Sequence, residues 1–330
     1  MTKQINWGII GCGNVTEKKS GPAFNKVDES KLQVVMRRNV RLVQEYAKRH
    51  HVPQYTTNAE AIINNPEVNA IYVATPPGNH AEYAIKAMQA GKAVYVEKPM
   101  AATYAQCQEM LEVSKQTGIP IYVAYYRRSL PGFLKAKELI DEGRIGTPVY
   151  VNIRLVRPAN DYEKNKDIPV WRLQPELSGG GIFFDLASHQ LDYLDFLFGP
   201  IKEAKGIAAN RGGFYDVEDT VSASFVHENG VVGNGIWSFV TDDSAREDVL
   251  EVVGTKGKIV MSSFAHTPVH MYVDGKDYEY PYLNPENIQY NLIRQIVHSM
   301  QGTGTCVSTG QSAARTNKVL EEIVKDFYQK

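Results

Sequence analysis

The chain has 330 residues, 43% hydrophobic and 22% charged, enough to build the cores of two ordinary domains. A formal net charge of −1 gives no electrostatic reason to expect nucleic acid or a membrane surface as partner. Cys12, Cys107 and Cys306 lie far apart with no metal spacing or disulfide framework, no apolar run approaches the roughly 18 residues of a membrane span, and the first strand pattern begins too early for a signal peptide. The expectation is a cytoplasmic protein without a metal site.

Strand and helix patterns alternate from the start. "INWGII" reads as a strand, followed by a glycine-rich turn and a segment to about Lys26 that has helical character. "LQVVM", "AIYVA", "AVYVE" and "IPIYVAY" read as further strands. Between them "RLVQEYAKRH", "AEYAIKAMQAG" and "TYAQCQEMLEVSKQTG" read as helices, the last closed by Gly118. This alternation predicts an α/β domain over residues 1–124, a doubly wound parallel sheet that takes ligands at its strands' carboxyl ends.

Three of those ends carry specific signals. In "GIIGCGNVTEK", Gly11 and Gly13 fit the first two glycines of a dinucleotide fingerprint, and Thr16 stands at the third place. Glycines let the backbone turn tightly and approach a pyrophosphate. After the second strand, where an acid would accept bonds from a ribose 2′-hydroxyl, the sequence has Arg37 and Arg38. A guanidinium binds a 2′-phosphate that a carboxylate would repel, so NADP(H) is the expected cofactor and NAD(H) the alternative. At the end of "VYVEKPM", Lys98 follows a strand that stops on Glu97 and Pro99.

Beyond about Tyr125 the pattern changes. "LPGFLKAKELIDEGRIG" is an amphipathic helix, "TPVYVNIRLV" a long strand, and residues 157–180 a polar stretch long enough to suggest a functional loop. In "GGGIFFDLASHQLDYLDFLFG" Asp185 and His189 share one face of an otherwise apolar, hence buried, helix, and Asp192 continues that face. A carboxylate and an imidazole there are costly unless paired or used. Six strand patterns follow, from "AKGIAAN" to "PVHMYVDG", then two helices. The second domain, 125–330, is therefore expected to be α+β, with a large, mostly antiparallel open sheet. An exposed sheet face calls for a homodimer or homotetramer.

Four patches, "WGIIGCGNV", "VATPPGNHAEYAIKAMQAGKAVYVEKPMA", "VAYYRRSLPGF" and "GGGIFFDLASHQLDYLDFLFG", stand in the order found in the Gfo/Idh/MocA oxidoreductases, and the chain resembles that family over most of its length. The resemblance implies hydride transfer between a nicotinamide and a carbonyl or hydroxyl carbon of a sugar, polyol or sugar derivative. It assigns catalysis to Lys98, His189 and Asp185. It places Gly11, Gly13, Asn14, Val15, Thr75, Pro76, Asn79, His80, Glu97, Trp171 and Arg172 around the cofactor, with Lys98, Tyr126, Arg157, Tyr162, Asp185 and His189 toward the substrate. Tyr126 departs from the asparagine, glutamine or histidine usual in the family, which bears on substrate identity. The resemblance also implies that the large sheet makes the subunit interface and that the last helix packs back near the first domain. An NAD-dependent polyol dehydrogenase, a glycosidase using bound dinucleotide transiently, and a dinucleotide-sensing regulator are the alternatives.

Overall fold

The computed structural model describes residues 4–165, 167 and 169–329. Two compact units emerge: residues up to Ser129 with Pro285–Ala314, and Leu130–Asn284 with the residues from Arg315 on.

The first unit is built on β1 (Ile5–Ile10), β2 (Ser30–Met36), β3 (Gln54–Thr56), β4 (Ala70–Val73), β5 (Ala93–Val96) and β6 (Ile121–Val123). They lie in the order β3-β2-β1-β4-β5-β6, every pair parallel. β4 and β5 are buried at every residue, which is why "AIYV" and "AVYV" show no polar alternation. Helices α1 (Asn14–Lys18), α2 (Val40–Arg49), α3 (Ala59–Ile63), α4 (His80–Gln89) and α5 (Tyr104–Thr117) make the crossovers. α5 starts in a Thr103/Gln106 capping box and stops at Gly118. α1 is shorter than the sequence suggested: Pro22 lacks the N–H a continuing helix needs, and Gly21–Asn25 form a 3-10 turn instead. β3 and α3 were not anticipated; each is a short piece without a strong period. The strand order reverses between β1 and β4, so the ends of β1, β2, β4 and β5 frame one edge. Gly11, Arg37, Thr75 and Lys98 all follow those ends.

The second unit carries α6 (Pro131–Asp141), α7 (Asp161–Lys164), α8 (Pro175–Ser178) and α9 (Ile182–Phe198). Its sheet uses β7 (Pro148–Val156), β8 (Ile201–Ala209), β9 (Thr220–His227), β10 (Val232–Ser238), β11 (Glu247–Gly254), β12 (Gly257–Met261), β13 (Val269–Val273) and β14 (Lys276–Tyr280). The order is β14-β13-β12-β11-β7-β10-β9-β8, antiparallel except for β7 with β10. Side chains along its strands alternate between a buried and an exposed face. Val221, Ala223 and Phe225 of β9 and Trp237 of β10 are buried, while Val232 and Ile236 stay exposed. Residues 285–314 return the chain to the first unit with α10 (Tyr290–Met300), and α11 (Gly310–Tyr328) closes it.

Candidate active site

The first unit's candidates start at the glycine loop. Gly11 has φ +95, a conformation that favours glycine, and a Cβ there would lie 2.9 Å from Thr75 Cγ2. The N–H groups of Gly11 and Cys12 both donate to Met36 O at 3.0 Å, tying the loop to the end of β2. Thr16 is buried and donates its hydroxyl to Gly13 O at 2.8 Å, so it serves the loop's own turn. A Cβ at Gly13 would meet only Gly11 O, at 3.8 Å; this side of the loop is open. Asn14 is exposed and Val15 half-buried at the start of α1. Burial pushes the Cys12 thiol up to about 12, which keeps it inert near neutral pH.

Arg37, half-buried, and Arg38, exposed, follow β2. Arg37 holds its backbone by donating to Thr56 O at 3.3 Å, and its charge is close enough to Cys12 to act on that thiol. No carboxylate stands between Met36 and Asn39, which caps α2 by accepting the Leu42 N–H at 3.0 Å.

After β4, Thr75, Pro76 and Asn79 are half-buried, and Thr75 Oγ1 is enclosed without a hydrogen-bond partner among the described residues. His80 is 0% exposed. Its Nε2 lies 2.7 Å from Thr75 O and its Nδ1 3.1 Å from Pro99 O, so the ring spans the turns after β4 and β5. Burial holds its imidazole below the usual histidine range.

Glu97 is a buried hub. Its Oε1 accepts the Tyr72 hydroxyl at 2.5 Å and Gln289 Nε2 at 2.7 Å, and its Oε2 accepts the Lys98 N–H at 3.2 Å. Gln289 in turn accepts the Tyr95 hydroxyl at 2.7 Å, and Tyr72 stacks on Tyr95 with centroids 4.7 Å apart. Burial, then the Glu97 charge, pushes the Tyr72 phenol far above its usual value, so it remains a donor. Sequence reasoning missed Tyr72, Tyr95 and Gln289. A signal existed for the tyrosines, which occupy matching places in "AIYV" and "AVYV" and pair in register. None existed for Gln289. Lys98 is half-buried on this base, and its bond to Pro99 is cis. Tyr126 is nearly buried in a 3-10 turn, with the Arg127 guanidinium 5.2 Å from its ring centre.

These residues fit a dinucleotide: an open glycine loop, an unsatisfied buried hydroxyl beside it, guanidinium groups after β2 and a lysine after β5.

In the second unit α9 presents Asp185 and His189 one turn apart. Asp185 accepts Arg172 Nε at 2.7 Å, and that guanidinium stacks 4.3 Å above Trp171. The structure thus brings Trp171, Arg172 and Asp185 together. His189 is buried, its ring edge-on to Phe264 at 6.0 Å. Farther along α9, Asp195 makes two 2.7 Å bonds to Arg315, a structural pairing within the same unit, and Asp192 is fully buried. Arg157 is held by Glu163 through bonds of 2.9 and 2.7 Å. Burial alone would raise the Glu163 carboxyl; bonds from Arg157 and Asn160 outweigh it and hold the group below its ordinary value. Tyr162 is exposed beside this pair. Among the described residues no cluster of metal-ligating side chains occurs, and no helix is long and apolar enough to cross a membrane.

The parallel sheet, its glycine loop and the residues at its edge define an NAD(P)-dependent oxidoreductase. Residues 5–125 match the family described as "Oxidoreductase family, NAD-binding Rossmann fold", and residues 133–260 match "GFO/IDH/MocA C-terminal domain". The chain belongs to the Gfo/Idh/MocA family. It is 41% identical over 325 residues to Oxidoreductase P35 of Formosa agariphila, covering 97% of this chain and 98% of that one. The 1,5-anhydro-D-fructose reductase of Ensifer adhaerens is 26% identical over 314 residues, with 92% and 91% covered. The structure of a levoglucosan dehydrogenase in complex with NADH and levoglucosan superposes with a TM-score of 0.87 at 22% identity, covering 98% of this chain and 97% of that one.

Proposed function

We propose that the protein is an NADP(H)-dependent reductase or dehydrogenase of a sugar, polyol or sugar derivative. The observation that carries the cofactor preference is the end of β2, where Arg37 and Arg38 stand and no carboxylate does. Guanidinium groups attract the 2′-phosphate that distinguishes NADP from NAD. The likeness to a 1,5-anhydro-D-fructose reductase supports a sugar-derived carbonyl as substrate.

A bound nicotinamide supplies or accepts the hydride. The glycine loop, Thr75, Pro76 and Asn79 would hold the dinucleotide. Lys98, on the Glu97 base, would bind the nicotinamide ribose and polarise the substrate oxygen. His189 would exchange a proton with that oxygen, a task suited to an imidazole. Asp185, shared with Arg172, would orient its surroundings or bind a substrate hydroxyl. Since Arg157 is committed to Glu163, this reading gives it a role in shaping the loop.

The test is NADPH deuterated at C4, supplied with a panel of carbonyl sugars that includes 1,5-anhydro-D-fructose. Deuterium should appear on the product's new carbinol carbon, and Lys98→Ala should lose at least about 100-fold in turnover while its circular dichroism stays native. Glycoside cleavage without net NADPH consumption would establish the transient-redox reading instead. Full turnover by Lys98→Ala would remove the lysine from the mechanism.

We also infer self-association through the second unit's open sheet face. Tyr150, Val232 and Ile236 are exposed together on adjoining strands β7 and β10.

A further inference from the structure

Why the residue just before α9 is a glycine is explained outside the helix. Gly181 is its N-cap residue and has no capping side chain of its own. The cap comes from Glu218, 37 positions on, whose Oε1 accepts the Gly181 N–H at 2.8 Å. The approach is close. A Cβ on Gly181 would lie 2.5 Å from Glu218 O and 3.0 Å from Glu218 Oε1, so only glycine lets the two backbones meet. The second carboxylate oxygen, Oε2, accepts the hydroxyl of Tyr328 at the end of α11.

Glu218 is itself rigidly mounted. It immediately precedes Asp219, whose N–H donates to Ala209 O at the end of β8 at 3.0 Å and whose carbonyl accepts the Phe239 N–H at 2.9 Å. The Asp219 carboxylate accepts the N–H groups of Arg211 and Gly212 at 2.9 and 2.7 Å. One fully buried carboxylate therefore joins the sheet, the last helix and the first turn of α9.

We propose that Glu218 is a positioning residue: with Tyr328 it seats the first turn of α9 and so fixes where Asp185 and His189 stand. This rests on the reading that those two residues act in the reaction. The chemistry suits the task. A carboxylate at a helix N-terminus satisfies an orphan N–H and complements the positive end of the dipole. The arrangement is also sensitive to protonation. Burial pushes the Glu218 carboxyl up to about 7, against the Tyr328 and Gly181 bonds that favour the ionised form, with Asp219 as a neighbouring like charge. Tyr215 also feels this charge. Tyr328 is held well above the usual tyrosine range by burial and then by Glu218, and so remains a donor.

The experiment compares Glu218→Ala, Glu218→Gln and Tyr328→Phe with the wild type. Amide hydrogen exchange in residues 182–185 is read first, because it needs no substrate. NADPH affinity follows, then turnover of the panel sugar that reacts, across pH 5.5–8.5. Glu218→Ala should speed exchange at least tenfold and cut kcat at least tenfold, with the NADPH Kd within threefold of wild type. Glu218→Gln keeps an oxygen for Gly181 and should recover most of both. Tyr328→Phe removes a bond that favours the carboxylate, so any limb of the kcat profile due to Glu218 should move to higher pH.

Wild-type exchange and turnover in Glu218→Ala and Tyr328→Phe would overturn the proposal. So would a Glu218→Gln variant as impaired as Glu218→Ala, since the cap would then not be the agent. Should Glu218→Ala fail to fold, Tyr328→Phe carries the test through exchange and the pH profile. Asp185→Asn and His189→Asn separate the two readings: full turnover in those variants defeats the proposed function, whereas their inactivity beside a wild-type-like Glu218→Ala defeats this inference alone.

Discussion

Arg157 and Glu163 face each other with only 16% and 2% of their side chains exposed. Replacing Arg157 leaves the Glu163 charge buried with only its Asn160 bonds, and breaking a buried ion pair costs about 3–5 kcal/mol. Arg157→Ala should therefore lower the free energy of urea unfolding by roughly that amount. An unchanged midpoint, with only the substrate KM raised, would make Arg157 a ligand after all. His227 gives a prediction in pH. It is buried, its Nδ1 lies 2.8 Å from Gly199 O, and burial lowers its pKa. An imidazole depressed in the folded state binds its proton more readily when unfolded. Its contribution is intact above the unfolded value of about 6.5 and is lost as pH falls through the lower folded value. His227→Asn, which keeps a group to donate to Gly199 O, should flatten the decline in Tm between pH 7 and 5. A decline as steep as the wild type's would assign that slope elsewhere. At this scale the sequence revealed chemistry more readily than partners. Lys98 and the glycine loop were legible because their spacing is local. The Glu97 to Gln289 bond spans 192 positions and the Gly181 to Glu218 cap spans 37, and no local rule reaches across either.

Elements were legible where a period runs long enough to declare itself. α5 and α9 span 14 and 17 residues, and each was read from its apolar spacing. β14 was missed although its turn was in plain view. Asp274 and Gly275 have φ of 52 and 71 and join β13 to β14 in a two-residue hairpin, for which Asp-Gly is a strong signal. The strand itself, "KDYEY", is largely exposed and polar, with no buried face to create alternation. The polar stretch after β7 hid α7 and α8 for a related reason. Each has four residues, too few for a helical period; α7 is held by its Asn160/Glu163 capping box and the Arg157–Glu163 pair, and α8 is closed by Gly179 at its C-cap.

For the whole molecule, the two architectures were legible because parallel and antiparallel sheets write different patterns: fully buried strands with helical crossovers in one, alternating strands with short turns in the other. Assembly is a test at this scale. If the open face of the second sheet joins copies of the chain, Val232→Glu, a change at an exposed position, should shift the sedimenting species toward monomer without lowering Tm. A wild type that sediments as a monomer would contradict the interface.

On the proposed function, this chain binds a phosphorylated nicotinamide dinucleotide through its glycine loop and the two arginines after β2. The most direct measurement is a fluorescence titration of the purified protein with NADPH and, separately, NADH, repeated on Arg37→Ala. The account predicts NADPH binding at least tenfold tighter than NADH, with most of that advantage gone in the variant. Equal or tighter binding of NADH by the wild type would contradict it.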